Sequence, residues 1–260
     1  MSFINSYKPT LEVIEPTYGA DPYDVNFLYP LPPVLETALV KLTPFIPRVH
    51  AQRYLTQTST NPDLFRHFAL QHSTLDEFLP RVESFIRRDP GMIVFAIVDK
   101  TKPSDVEGEE GAFAGTTGLI KTSSENLTTE IGPVVTFPAF RRTHVTTQAS
   151  ALLLRWVLDL PSASPPGLGF RRVQWTAHPD NVGSRRLAEK LGMNFEGRMR
   201  WTFVFQENED GEMVREGKKV RRGDPLEKRE GRDNVMYAVC WDDWENGSRE
   251  LVMELLNRTG

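Results

Sequence analysis

One cysteine in 260 residues, Cys240, is too few for a disulfide within the chain or for a cysteine-rich metal site. Histidine is scarce too. The five, at positions 50, 67, 72, 144 and 178, show neither the i, i+4 pair of a helical zinc site nor a CxxC partner, so no metal is expected. No apolar run approaches the ~18 residues of a membrane helix, and the N-terminus lacks a basic flank followed by an apolar signal core. A cytoplasmic or nuclear location without a membrane partner is the expectation. A net charge of −4 gives no whole-protein attraction to nucleic acid; only a local basic patch could supply it, and no nucleic-acid partner is expected. There is no G-x-S-x-G elbow, no evident Cys–His pairing and no internal repeat. Gly111, Gly115 and Gly118 have the wrong spacing for a nucleotide loop, and no helix follows them.

What is present suits a single globular core. Hydrophobic residues make up 39% and charged residues 25%, and the length accommodates one core with elaborations more readily than two. Residues 1–36 hold six prolines up to Pro33 among aromatics, the composition of an extended arm that wraps a domain. Residues 37–260 read as one domain. Within it a strand is predicted at 37–42, a helix opened by Pro47, and a second helix from the Thr74-x-x-Glu77 capping box through Phe78, Val82, Phe85 and Ile86. The apolar run 92–98 reads as a central strand buried on both faces, and 112–120 as its hairpin partner. Further strands are predicted at 129–136, 171–177, 199–205 and 235–241. A short helix is capped by Asn181 and stopped by Gly192, and a last one covers 249–256. Residues 206–232 are almost all charged or glycine, with eight Lys or Arg, and read as a solvated hairpin insertion. The element order gives an α/β (α+β) protein with a central mixed, mostly antiparallel sheet flanked by helices.

The stretch with most chemistry runs from Pro138 to Thr147. Val145, Ala149, Leu152, Leu153, Trp156, Val157 and Leu160 mark one face of a 3.6-period helix that starts near Thr143. The strand before it aims the helix's free N–H groups beyond the strand end. With Arg141, Arg142 and the hydroxyls of Thr143, Thr146 and Thr147 they compose an anion site suited to phosphate or pyrophosphate. An ordinarily capped helix with solvated arginines is the other reading.

Three segments together carry a resemblance: Glu130-Ile131-Gly132; Arg141-Arg142-Thr143-His144-Val145-Thr146; and Asn181-Val182-Gly183-Ser184 with Leu191-Gly192 and Glu196-Gly197. Arg232-Asp233-Asn234-Val235-Met236-Tyr237 with Trp244 adds a fourth. In this combination the chain resembles the GNAT acyl-CoA N-acyltransferases, and within them the group that includes the ribosomal-protein N-terminal alanine acetyltransferases. The likeness spans roughly 37–256. It implies a GNAT-like sheet, acetyl-CoA as co-substrate, and an amine acceptor, either a small molecule or a peptide N-terminus. The loop departs from the superfamily's Q/R-x-x-G-x-G/A pattern: Arg141 fits, while His144 and Thr146 stand where small residues sit. Whether the protein is a monomer or a homodimer is open.

The resemblance implies site residues. Cofactor contacts fall on Val134, Val135, Arg141, Arg142, Thr143, His144, Val145, Thr146 and Asn181. Many superfamily members place a tyrosine acid in the helix after the asparagine, but the corresponding position here is Ala188, which leaves Ser184 as the donor to a departing thiolate, or else as a second capping hydroxyl. Glu130 is the carboxylate nearest the expected thioester and is either the general base or a strand-end residue. Asn181 combines capping with a hydrogen bond near the cofactor. His144 and His178 read as structural. A catalytically degenerate GNAT-fold module that binds CoA or a protein partner is the competing reading.

Overall fold

The computed structural model describes residues 18–68, 74–205 and 217–258. Eight strands form one sheet: β1 Val40–Pro44, β2 Ile93–Asp99, β3 Ala112–Ser123, β4 Thr128–Ile131, β5 Val135–Thr136, β6 Arg172–Ala177, β7 Asn194–Val204 and β8 Gly231–Cys240. Their order is β1-β2-β3-β4-β6-β8-β7, with β5 also on β3. Every pairing is antiparallel except β4 with β6. The helices are α1 Pro47–Ser59, α2 Leu75–Arg81, α3 Val145–Leu158, α4 Val182–Lys190, α5 Trp241–Asp243 and α6 Arg249–Asn257.

β2 shows why a continuous apolar run becomes a central strand. It is hydrogen-bonded to β1 and β3, and Ile93, Val94, Phe95, Ala96 and Ile97 are all buried. α3 is more enclosed than a one-faced helix. Only Thr146 and Arg155 escape burial, because α6 packs against it while β1, β2, β3 and β6 lie along the helix as well. One apolar cluster runs from Leu35 to Leu256. The described part of the arm contributes to it: Phe27 lies 6.4 Å from Trp156 and Tyr29 5.2 Å from Phe170.

Several sequence expectations need correction. The strand expected over 129–136 is two strands, since the chain bends at Gly132 and Pro133. A 3₁₀ turn, Pro138–Phe140, stands between β5 and α3, so the helix begins at Val145 rather than beside Thr143. Leu160 lies beyond the helix end and is exposed, because the backbone leaves helical geometry at Asp159. Phe85 is exposed too: α2 passes into a π turn, Val82–Arg87, which rotates the face set by the 3.6 period. Thr37 precedes β1 and caps it, its hydroxyl accepting from the N–H groups of Leu39 and Val40. Alternation along β7 breaks at a register shift between Met199 and Phe203, and Trp201 stands exposed at φ 57. The arm before residue 18 and residues 206–216 of the 206–232 insertion lie outside the described residues, and the insertion ends sooner than expected, because Gly231 and Arg232 already pair with β7 as the start of β8.

Candidate active site

A cleft opens in the sheet between β4 and β6. They pair in parallel at Thr128 with Arg172, Thr129 with Val173 and Glu130 with Gln174, and then part. On one side the chain bends into β5, which pairs with β3 alone; on the other, β6 continues to Ala177 bonded only to β8. The facing edges of 131–136 and 175–177 therefore carry no strand-to-strand bonds, and their N–H and C=O groups are open to a ligand. Gly115 makes the bend possible. At φ 148, a Cβ there would meet the Val135 carbonyl oxygen at 2.1 Å, so only glycine lets β5 lie this close. Gly118 and Gly111 likewise face neighbouring backbone, at Ile93 and Asp99. These glycines serve sheet packing.

The β5–α3 junction lies at the end of that cleft. Val134 is half-buried and Val135 buried, so both offer main chain rather than side chain. Arg141, Arg142 and Thr143 are exposed, and among the described residues neither guanidinium has a carboxylate partner. Arg142 has φ 61, a conformation that turns the loop sharply before the helix. The Thr143 hydroxyl donates to the Phe140 carbonyl at 2.7 Å and accepts from the Val145 N–H at 3.3 Å. Val145 is fully buried and can reach a ligand only through its backbone. Thr146 shares a 2.7 Å hydroxyl bond with Thr136 on β5, and Thr147 accepts from Lys190 Nζ of α4 at 3.2 Å. His144 reaches β2: its Nε2 lies 3.2 Å from Oδ1 of Asp99, the buried last residue of that strand. Two free cations, a turned loop and a helix N-terminus fit an anionic group such as a pyrophosphate.

On the other wall, Asn181 caps α4 as expected, its Oδ1 accepting from the Ser184 N–H at 3.1 Å. Ser184 Oγ accepts from the Trp175 indole N–H at 2.8 Å, and Trp175 lies on the half of β6 that has left β4. A hydroxyl that accepts this bond keeps its own proton to donate. Glu130 stands at the last rung before the strands part and is buried. Lys121 Nζ donates to its Oε2 at 2.8 Å, Gln174 Nε2 to the same oxygen at 3.1 Å, and the Thr176 hydroxyl to Oε1. His178 Nδ1 accepts the Asp180 N–H at 3.1 Å, which puts the ring proton of the neutral form on Nε2, and its ring stacks on His67 at 5.2 Å.

A family model described as an acetyltransferase (GNAT) domain matches residues 40–194, more than half of the chain. The chain belongs to the GNAT acetyltransferase family. Solved structures agree on the fold. A GCN5-related N-acetyltransferase from Brucella melitensis aligns with a TM-score of 0.64 at 24% identity, covering 87% of this chain and 86% of that one. An acetyltransferase of the GNAT family from Bacillus anthracis gives 0.54 at 18%, covering 80% and 99%. RimJ from Mycobacterium smegmatis, solved in complex with CoA-disulfide, gives 0.57 at 14%, covering 83% and 88%. No curated protein matches the chain. Membership of this GNAT family implies acyl-CoA-dependent acyl transfer, and the fold is GNAT-like.

The residues that sequence reasoning missed are cross-strand partners: Trp175 behind Ser184; Lys121, Gln174 and Thr176 around Glu130; Asp99 behind His144. Their sequence separations follow from strand register, which no local motif encodes. Among the described residues, Cys240, Asp242 and Asp243 bring three potential ligand atoms within 4.8 Å at the end of β8 away from the cleft. Asp243 there accepts from the Cys240 N–H and from Asn194, so the cluster caps a turn. No helix of the described residues is long and apolar enough to cross a membrane.

Proposed function

We propose that the protein is an N-acetyltransferase that moves the acetyl group of acetyl-CoA directly to an amine, and that the amine is a peptide N-terminus, as the likeness to the ribosomal-protein alanine acetyltransferases suggests. The observation that carries the reading is the parting of β4 and β6 with Arg141 and Arg142, which have no carboxylate partner among the described residues, at its end. Bound acetyl-CoA supplies the acyl group as an activated thioester. Arg141, Arg142 and the backbone N–H groups at the start of α3 hold its phosphates, with the Thr143 and Thr146 hydroxyls fixing the loop. The open main chain of 131–136, Val134 and Val135 included, aligns the pantetheine arm and polarises the carbonyl.

Ser184 donates its hydroxyl proton in a hydrogen bond to the sulfur as the C–S bond breaks, oriented by the Trp175 N–H. Asn181 holds the first turn of α4 in register. Glu130 takes the proton the amine loses as the C–N bond forms. Thr176, half-buried above it, relays that proton: its Oγ1 accepts from the amine while its own proton passes to Oε1. No covalent enzyme intermediate is required. His144 fills a position where small residues are usual, the feature that favours a degenerate binding module, yet its ring has a partner in Asp99 that fixes it. The test is acetyl transfer from acetyl-CoA to a panel of N-terminal peptides and small amines by the full chain; CoA binding without transfer to any of them would select the binding-module reading.

A further inference from the structure

Where the cleft opens past Ala177, β8 supplies the neighbouring wall, with Val235 facing Ala177. Three residues before Val235 stands Arg232. Its side chain is partly buried and held entirely by neutral acceptors: Nη1 donates to the His67 carbonyl, and Nε and Nη2 to Asn234 Oδ1 at 3.0 and 2.6 Å. The Phe203 ring centroid lies 5.5 Å from the guanidinium carbon. Among the described residues no carboxylate pairs with Arg232, in contrast to Arg53, Arg87, Arg172 and Arg249, which each have one. Burial pulls its pKa below the ordinary arginine value. A desolvated cation without a counter-charge is costly, and a ligand anion removes the cost. Three of the five guanidinium N–H groups are engaged, which leaves two for a carboxylate.

Distance selects the ligand. Thr176, whose hydroxyl meets the amine, faces Met236 on β8, four residues from Arg232, and Arg232 stands on that same face of the strand, bonded to the Asn234 side chain. That is roughly 13 Å along the strand, of which the two meeting side chains bridge several ångströms. The remainder is roughly two or three residues of extended peptide, too far for the amine and carboxylate of one amino acid. Resting on the acetyltransferase reading, we propose that Arg232 recognises an acidic side chain of the acceptor, which is a polypeptide with an aspartate or glutamate at about its third or fourth residue. Phe203, exposed beside it, lines the path of such a chain. A polyanion such as RNA is less favoured. The neighbouring cations Arg198 and Lys218 are both held by buried Asp233, whose carboxyl is pushed down to about 2 by the Trp201 N–H and those two side chains.

The experiment uses the full chain and ten-residue peptides beginning with Ala or Ser that carry Asp at position 3 or 4, or Asn in its place. Acetyl transfer and, separately, peptide affinity by fluorescence anisotropy are measured for wild type, Arg232→Gln and Arg232→Lys. The expected result is a preference of roughly tenfold or more for one acidic series in both readouts, lost in Arg232→Gln and partly kept in Arg232→Lys. Acetyl-CoA affinity should stay unchanged in the variants. Equal use of Asp and Asn peptides, discrimination that survives Arg232→Gln, or transfer to small amines only would overturn the assignment while leaving the acetyltransferase reading standing. So would a single-stranded oligoribonucleotide whose binding depends on Arg232 while peptides are indifferent to it. If Arg232→Gln fails to fold, the Asp-against-Asn comparison in wild type and Arg232→Lys decides the matter. Failure of wild type to bind acetyl-CoA would instead strike the reading beneath it.

Discussion

Ser184 sits between two demands. Its N–H closes the Asn181 cap, and its Oγ accepts a hydrogen bond from the Trp175 indole N–H. Replacing it by alanine should lower kcat roughly tenfold to a thousandfold with acetyl-CoA affinity little changed, because the lost bond belongs to the transition state. Trp175→Phe removes only the orienting donor, and kcat should fall less, by about threefold to tenfold; a KM-against-kcat split for acetyl-CoA checks both. Glu130→Gln should slow transfer and Thr176→Val should reproduce much of that loss, since both interrupt one proton path. Equal rates in Thr176→Val and wild type would leave Glu130 as a staple between β3, β4 and β6. Asn181 and Ser184 were legible in the sequence because a cap and its N3 partner lie three residues apart. Trp175 was not, since its partnership depends on how α4 folds back over β6.

At the scale of elements, the cleft exists because one predicted strand breaks. Gly132 and Pro133 end the β4 ladder, and β5 resumes on β3 alone, a break that a run of β-branched residues conceals in sequence. The α3 helix was legible from its period, but not its full enclosure, which α6 supplies from the far end of the chain. Leu152 is wholly buried there, and Leu152→Ala should cost about 2–5 kcal/mol in denaturant unfolding. The loop at the helix start is anchored through His144 to Asp99 and through Thr146 to Thr136. Releasing the first anchor by His144→Ala should raise KM for acetyl-CoA severalfold and change kcat less, as expected of a residue that shapes the loop without touching the reacting atoms. A fall in kcat at unchanged KM would point to a catalytic imidazole instead.

For the molecule as a whole, stability should depend on pH through His50, buried between Phe45 and Phe113 with Nδ1 accepting the Ile46 N–H. Burial pushes its pKa from 6.5 down to about 4. Between those values the unfolded chain binds a proton that the folded chain refuses. The contribution is therefore complete above about pH 6.5 and is lost as pH falls toward 4, on the order of 3 kcal/mol at most. His50→Phe should flatten that part of a stability-against-pH curve. The central claim concerns the cofactor, and titration calorimetry of acetyl-CoA into wild type and an Arg141→Ala/Arg142→Ala double variant tests it most directly, with melting temperature as a parallel readout. Wild type should bind, gaining about 2.7 kcal/mol of stability at a ligand concentration of 100 Kd, a rise of roughly 5–10 °C. The double variant should bind at least about tenfold more weakly. No heat and no shift in wild type, or equal affinity in both proteins, would contradict the account.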